Sequence, residues 1–512
     1  MVLSKVVSCV LTGLEGEIVN VETDISNGLP SFTIVGLPDT AVRESKERVK
    51  SAIKNSGFNF PIKRITINLA PANTKKEGTH LDLPMAMGIL SASDQIDMKY
   101  LKEYAFIGEL SLNGKLNRVI GVLPLVISFR EKGYKKIILP KENMEEASII
   151  EDVEIYALEN LFQITSFLQG DLKINPSANK TNTINTNCLS QKVDFNEVSG
   201  QETAKRALEI AAAGGHNIIL IGPPGSGKTM LARRFPTILP DMTLEESIEV
   251  TKIYSIAGLL PSNSSLIKTR PFISPHHTIS KVSLIGGGKI PKPGEVSLAH
   301  LGVLFLDELP EFQRNVLEVL RQPMEDEVVT ISRINATITY PAKFVLVASM
   351  NPCPCGYYND PVKECSCAPH QIKKYLSKIS GPLLDRIDMH IEVFPVKYNE
   401  LTNKTKPKSS LEIKKKVDMA RNIQLERFKD SRIRFNSQLP PRLIKKYCKL
   451  GKEENSLLEA AFHNLGMSAR SYNKILKLSR TIADLDGSAN IKVSHLSEAI
   501  QYRSLDKKFW AL

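Results

Sequence analysis

Long apolar runs are missing from this chain: no uninterrupted hydrophobic stretch approaches the ~20 residues that a membrane-spanning helix needs. The opening Met1-Val-Leu-Ser also lacks the charged start of a secretory signal. Both absences argue against a membrane partner and make the cytoplasm the expected compartment. Cysteine is sparse, with seven in 512 residues, so the thiols are expected to be reduced, metal-bound or buried rather than paired. No internal repeat is present. Acidic residues are outnumbered, 55 against 67 Lys and Arg, leaving a formal charge of +12. That balance is compatible with an anionic polymer as partner without establishing one. At 512 residues and 42% hydrophobic content, the chain is too long for one core and is expected to hold two to four domains.

The most informative stretch is Gly222-Pro223-Pro224-Gly225-Ser226-Gly227-Lys228-Thr229. An apolar run, Ile218 to Ile221, precedes it as a buried parallel strand, and Met230-Leu-Ala-Arg-Arg-Phe follows as the start of a helix. Strand, glycine loop and helix form the context of a phosphate-binding loop, in which tightly turned backbone N–H groups face one anion. Lys228 is then expected to reach the β- and γ-phosphates of ATP, and the Thr229 hydroxyl to ligate Mg²⁺.

Around it, residues 1–168 alternate strand-like and helix-like patterns and are expected to form an α/β domain. Strands are expected at Glu17–Glu22, Ser31–Val35, Arg64–Leu69, Tyr104–Glu109 and Lys136–Leu139, with helices at Thr40–Ser56, Leu83–Ser93 and Gly121–Lys132. Residues 169–191 turn to Asn, Thr, Ser, Lys and Pro and read as a linker, with Cys188 idle inside it. An ATPase core is expected over 192–395, including an insertion-rich region from Ile256 to His300. Gly302-Val-Leu-Phe-Leu-Asp-Glu308 reads as a buried strand delivering two acids to its carboxyl edge, where α/β folds bind ligands. There Asp307 can hold Mg²⁺ through water and Glu308 can polarise the attacking water. Phe344-Val-Leu-Val-Ala-Ser-Met predicts a further strand that places Asn351 at the same edge, within reach of a γ-phosphate. Val328–Tyr340 predicts a protruding hairpin around Arg333. Residues 396–512 read as a small helical domain, and Lys397–Lys452 carries seventeen Lys and Arg against five Asp and Glu.

Residues 195–505 together resemble an AAA+ ATPase, an α/β nucleotide domain with a helical lid. More closely, the whole chain resembles the bacterial Mg-chelatase-like AAA+ proteins of the ComM/YifB family. The resemblance is carried by Asn27–Lys46, the phosphate loop, Arg270-Pro-Phe-Ile-Ser-Pro-His-His277, Gly286-Gly-Gly, Pro293–His300, Asn351-Pro-Cys-Pro-Cys-Gly356 and Gly381–Asp388. It implies Lys228 and Thr229 as the phosphate-loop pair, Asp307 and Glu308 as metal-binding and catalytic acids, and Asn351 as first sensor. It further implies Arg386 as a finger that reaches a neighbour's ATP, and Arg470, in Met467-Ser-Ala-Arg, as second sensor on its own or a neighbouring site. A homo-oligomeric ring, a hexamer in this family, follows from a charge supplied in trans. The implied activity is ATP-driven branch migration on DNA during recombination and natural transformation. Lys281, Lys289, Lys292 and Arg333 are the candidate phosphate-backbone contacts by loop position and charge.

The first domain resembles the ribosomal-S5-like fold of Lon-type peptidases, through Lys76-Glu-Gly-Thr-His-Leu-Asp82 and Gly108–Gly114. The expected serine neighbourhood reads Gly78-Thr-His-Leu, and no lysine lies between Lys115 and Lys132 to act as base. The domain is expected to be proteolytically inactive and to serve assembly or partner contact. Cys353, Cys355, Cys365 and Cys367 can close a structural Zn²⁺ site or remain reduced thiols. Adjacent His276 and His277 suit metal poorly, and a structural or pore-lining role is expected. Alternatives to the DNA motor are a chelatase-type remodeller with a protein substrate, an ATP-dependent protease, and a nucleotide-gated scaffold.

Overall fold

The alternating pattern of the first 168 residues builds a seven-stranded sheet. A computed structural model describes residues 2–177, 193–261, 266–288, 291–333, 336–360, 363–396, 407–431, 433–465, 467–503 and 505. The chain divides into two compact units, Met1–Thr186 with Leu244–Ile267, and Asn187–Thr243 with Lys268–Leu512.

In the first unit the strands are β1 (Val2–Thr12), β2 (Glu15–Ser26), β3 (Ser31–Val35), β4 (Arg64–Ala70), β5 (Tyr104–Phe106), β6 (Lys136–Pro140) and β7 (Glu154–Leu158). Their order is β3-β4-β2-β1-β5-β6-β7. β1 and β2 form a long antiparallel hairpin from Val2↔Ile25 to Thr12↔Glu15, while β5, β6 and β7 run parallel. Three helices, α1 (Thr40–Asn55), α2 (Asp82–Ala92) and α3 (Val122–Glu131), cover the sheet. α2 is buried along its whole length and so carries almost no polar face. The expected strand from Tyr104 to Glu109 breaks after Phe106, and Glu109–Leu110 instead pairs with Leu116–Asn117. The stretch expected to be a linker begins by ending a helix: Leu161–Gln169 is capped by Gly170 in the left-handed region. From residue 178 to 192 that stretch, Cys188 included, lies outside the described residues.

Leu244–Ile267 falls within 192–395 in sequence yet packs in the first unit. Its helix Leu244–Ala257 lies against α3, and Ser255 Oγ donates to the buried Glu146 carboxylate at 2.5 Å. The same Glu146 oxygen accepts from Leu123 N at 3.0 Å, and Arg118 Nη2 donates to Leu260 O at 2.8 Å.

The second unit holds a five-stranded sheet of β8 (Ile218–Ile221), β9 (Phe272–Ile273), β10 (Val303–Leu306), β13 (Val345–Met350) and β14 (Met389–Glu392). The hairpin β11 (Val328–Arg333) and β12 (Ala336–Pro341) stands apart from it. The order β9-β10-β13-β8-β14 is parallel throughout, so every strand's carboxyl end reaches one edge. β8 and β10 are buried at every position and accordingly read as unbroken apolar runs. Helix α4 (Glu202–Gly214) shares one hydrophobic core with the C-terminal helices α6 (Ser410–Arg427) and α7 (Ala469–Leu485), through Leu208, Ala211, Ile413, Val417, Ile475 and Ile482. No helix among the described residues is long and apolar enough to cross a membrane.

Candidate active site

The carboxyl edge of the second sheet gathers five of the expected residues. Beyond Ile221 the chain passes so close to its neighbour that only glycine fits, because a Cβ on Gly222 would lie 2.1 Å from Val393 O. The turn is completed by Gly225 and Gly227 at φ +76° and +90°, where a side chain would be strained. Helix α5 (Lys228–Arg234) then begins at the lysine itself. Lys228 Nζ folds back onto the loop, donating to Gly222 O at 2.7 Å, Pro223 O at 2.8 Å and Asn351 Oδ1 at 3.2 Å. Burial pushes the Lys228 pKa down to about 8, against the opposing pull of Asp307 and Glu308.

Thr229 Oγ1 donates to Asp307 Oδ2 at 2.8 Å, so the hydroxyl and carboxylate expected to flank Mg²⁺ already face one another. The other Asp307 oxygen accepts from Ser349 Oγ and from Glu308 N, the latter at 3.1 Å. Glu308 occupies the left-handed region (φ 54°, ψ 48°), uncommon for a non-glycine residue, and its side chain is 59% exposed at the sheet edge. Two hard oxygen donors beside a lysine suit a partly hydrated Mg²⁺ shared with phosphates. Glu308, free of that pair, has room to meet a water.

Three neighbours were not anticipated from the sequence. Ser349 orients Asp307; its signal was a lone hydroxyl in the apolar run 344–350, two residues before Asn351. His277 Nδ1 lies 3.8 Å from Glu308 Oε2, placing the histidine expected to be structural or pore-lining beside the carboxylate expected to be catalytic. Gln201 Nε2 donates to Ser226 O at 3.2 Å and braces the phosphate loop.

Arg386 and Arg470 are not with this group. Arg386 precedes β14 by three residues, and Met389 pairs with Ile218, so Arg386 lies at the amino edge of the sheet. Four strand residues, about 13 Å, separate that edge from Gly222. Arg386 Nη2 pairs with Glu325 Oε1 at 2.5 Å, and Nη1 donates to Pro382 O at 2.6 Å. Arg470 is exposed, 4.0 Å from Asp385 Oδ2, and so shares the Arg386 edge.

The four cysteines converge, their sulfurs all lying within 4.8 Å of one another. Cys353–Cys355, Cys353–Cys365 and Cys355–Cys365 sulfurs are 3.3, 3.7 and 3.6 Å apart. A tetrahedral S₄ site with metal–sulfur bonds of about 2.3 Å has edges of about 3.8 Å, so the set fits one such ion. Burial opposes the Cys355 thiolate, but the Tyr357 N–H, Cys353, the Ser366 N–H and Cys367 outweigh it and bring the pKa down to about 6. The segment also touches the nucleotide loop: a Cβ on Gly356 would lie 2.4 Å from Pro224 Cδ.

Lys281 opens the short helix Lys281–Ile285, and Arg333 ends β11; with Arg321 they line one open cavity of about 640 Å³. Lys292 pairs through its backbone with Gly287, and a Cβ built on Gly287 would be 3.2 Å from Arg333 Nη2. Lys289 lies outside the described residues. In the first unit, within the stretch Gly78-Thr-His-Leu, the Thr79 hydroxyl donates to Glu109. Lys76 is buried with Nζ on Thr74 O at 2.8 Å.

Three family models match in succession: "Subunit ChlI of Mg-chelatase" over residues 21–143, "Magnesium chelatase, subunit ChlI" over 194–401, and "Magnesium chelatase, subunit ChlI C-terminal" over 407–503. The chain is 45% identical to the competence protein ComM of Haemophilus influenzae, covering 99% of this chain and 98% of that protein. It is 43% identical to YifB of Escherichia coli over equal shares. A magnesium-chelatase 67 kDa subunit of Chlorobaculum parvum is 28% identical, but over 31% of this chain and 23% of that protein. With full-length identity above 40% and a nucleotide site built on a parallel five-stranded sheet, the chain belongs to the Mg-chelatase-like AAA+ ATPase family that includes ComM and YifB.

Proposed function

We propose that this chain hydrolyses ATP as a subunit of a homo-oligomeric ring, a hexamer, and uses the energy to move DNA, as a branch-migration motor in recombination. The observation that carries the reading is the split of the site: five residues at one sheet edge, two arginines at the other. One subunit then holds the nucleotide and the next supplies the charge that hydrolysis requires. In this reading residues 192–395 act as nucleotide domain and 396–512 as lid, while 1–168 serves assembly or partner contact.

Lys228 straightens from its carbonyl partners to the β- and γ-phosphates, exchanging neutral acceptors for charged ones. Thr229 and Asp307 hold Mg²⁺, which offsets phosphate charge when bound. Glu308 orients and polarises the water that attacks the γ-phosphorus as the bond to ADP breaks, and Asn351 steadies that water or the γ-phosphate. The partner subunit's Arg386 and Arg470 neutralise charge on the transferring group. Cys353, Cys355, Cys365 and Cys367 hold a structural Zn²⁺. DNA as substrate is supported by Lys281, Arg321 and Arg333 around one cavity and by the similarity to a competence protein.

The test is ATP turnover by the purified protein without DNA and with single strands, duplex or a four-way junction, beside Glu308→Gln. Junction-stimulated turnover that the variant abolishes supports the motor. A Lys281→Ala/Arg333→Ala chain is expected to lose most of the stimulation and to flatten its salt dependence by about two charges. The partial similarity to a magnesium-chelatase subunit favours a second reading, a remodeller of a protein partner. Mutant-sensitive turnover indifferent to every nucleic acid would select that reading instead.

A further inference from the structure

The helix that carries Arg470 and the segment that carries Arg386 meet at one buried ion pair. Asp388, two residues after Arg386, accepts from Lys474 Nζ at 3.0 Å through Oδ1. Its Oδ2 accepts from His216 Nδ1 at 3.2 Å and from Asn217 N at 3.3 Å. Asn217 returns the contact twice: its Nδ2 donates to Arg386 O at 3.1 Å, and its carbonyl accepts from the N–H groups of Asp388 and Met389 at 2.9 and 3.1 Å. Lys474 Nζ and Arg503 Nη1 both donate to Ile387 O, at 3.0 and 2.7 Å. Every residue from Arg386 to Met389 is thus pinned through its backbone or side chain.

Lys474 stands four residues after Arg470 on α7, one helical turn along the same face. Burying two opposite charges adds little to stability compared with an apolar pair of similar size, but it fixes geometry, because neither charge tolerates losing the other. We infer that Lys474 and Asp388 are positioning residues that lock the Arg470 helix to the Arg386 segment, so that both arginines reach the adjacent subunit's nucleotide as one rigid unit. The inference rests on the reading of those arginines as acting in trans.

The test is complementation between subunits. Lys474→Met leaves its own phosphate loop intact but presents its arginines badly. Glu308→Gln has intact arginines but a dead site of its own. Alone, Lys474→Met is expected to assemble and to bind a fluorescent ATP analogue within about twofold of the unaltered protein. Its kcat should fall by between about tenfold and a hundredfold, with KM little changed. Mixed with Glu308→Gln, it should recover turnover above the sum of the two proteins assayed apart, and Lys474→Arg should restore most of the rate. If Lys474→Met does not fold, the double variant Lys474→Gln/Asp388→Asn, which leaves no lone buried charge, is expected to complement in the same way. Absence of any gain on mixing, or loss of analogue binding by the folded variant, overturns the inference. A parallel mixture of Arg386→Ala with Glu308→Gln separates the two levels. If that mixture also gains nothing, the trans reading itself falls; if it gains and the Lys474 variants do not, only the positioning role falls.

Discussion

In the proposed reading, one side chain, Lys228, ties nucleotide binding to pH. Burial holds its pKa near 8, and four neutral oxygens, of Gly222, Pro223, Ser226 and Asn351, share its protons. Phosphate favours the charged form, so binding raises that pKa. Affinity should therefore be level below pH 8 and fall as pH rises through 8, by up to about tenfold per unit until the bound-state pKa is reached. Titrating an ATP analogue between pH 7.5 and 9.5 tests this, with proton uptake measured in buffers of different ionisation enthalpy. An affinity that rises or stays level above pH 8 would show that no loss of a proton from Lys228 limits phosphate binding in that range. At this scale the sequence was legible where a residue type has one chemical use in one context: lysine and threonine after a glycine loop, paired acids after an apolar strand. It was silent on the partners of Ser349, His277 and Glu325, because each reaches its partner through the fold, across 42, 31 and 61 positions of chain.

Elements were legible in proportion to how cleanly burial sorts their residues. β8 and β10 are buried on both faces, and the apolar runs 218–221 and 303–306 show it directly. β1 was missed because its inward set is Ser4, Val6, Ser8 and Val10, so serines dilute the alternation. Ser8 is accommodated by donating to Phe106 O at 2.8 Å, a partner that only β5 beside it can supply. The segment from Cys353 to Cys367 is of another kind: its described residues form no helix or strand, and its four sulfurs lie within 4.8 Å of one another. Because Gly356 abuts Pro224, loosening those sulfurs should be felt in the nucleotide loop. The protein is expected to carry about one zinc per chain by elemental analysis. A Cys365→Ser/Cys367→Ser variant should lose it, melt several degrees lower and bind ATP analogue more weakly. Metal-free protein with unaltered melting and binding would leave the cysteines as ordinary reduced thiols.

On the scale of the whole molecule, the composition shift at 169–191 suggests that the first domain could be cut away there. The packing says otherwise. Leu244–Ile267 belongs to the first unit, although the chain on both sides of it belongs to the second. Its helix buries Val250 and Ile253, and Ser255 meets the Glu146 carboxylate, itself bonded to Leu123 N and Asn143. No local pattern announces such an exchange, since the helix looks like any other buried helix until its partner is known. A chain beginning at Asn187 would leave this face in water, with Arg118 gone from the Leu260 carbonyl. It should be less soluble and melt lower than the full chain, by more than the loss of an independent domain would cause. Conversely, a single protease cut between residues 178 and 192 should release nothing under native conditions, because residues 2–177 remain packed on Leu244–Ile267. Size-exclusion chromatography of the nicked protein should return one peak, and denaturing electrophoresis two fragments. Two native peaks would mean that the segment is held by its flanking chain alone, and that the first domain is a removable attachment to the ATPase.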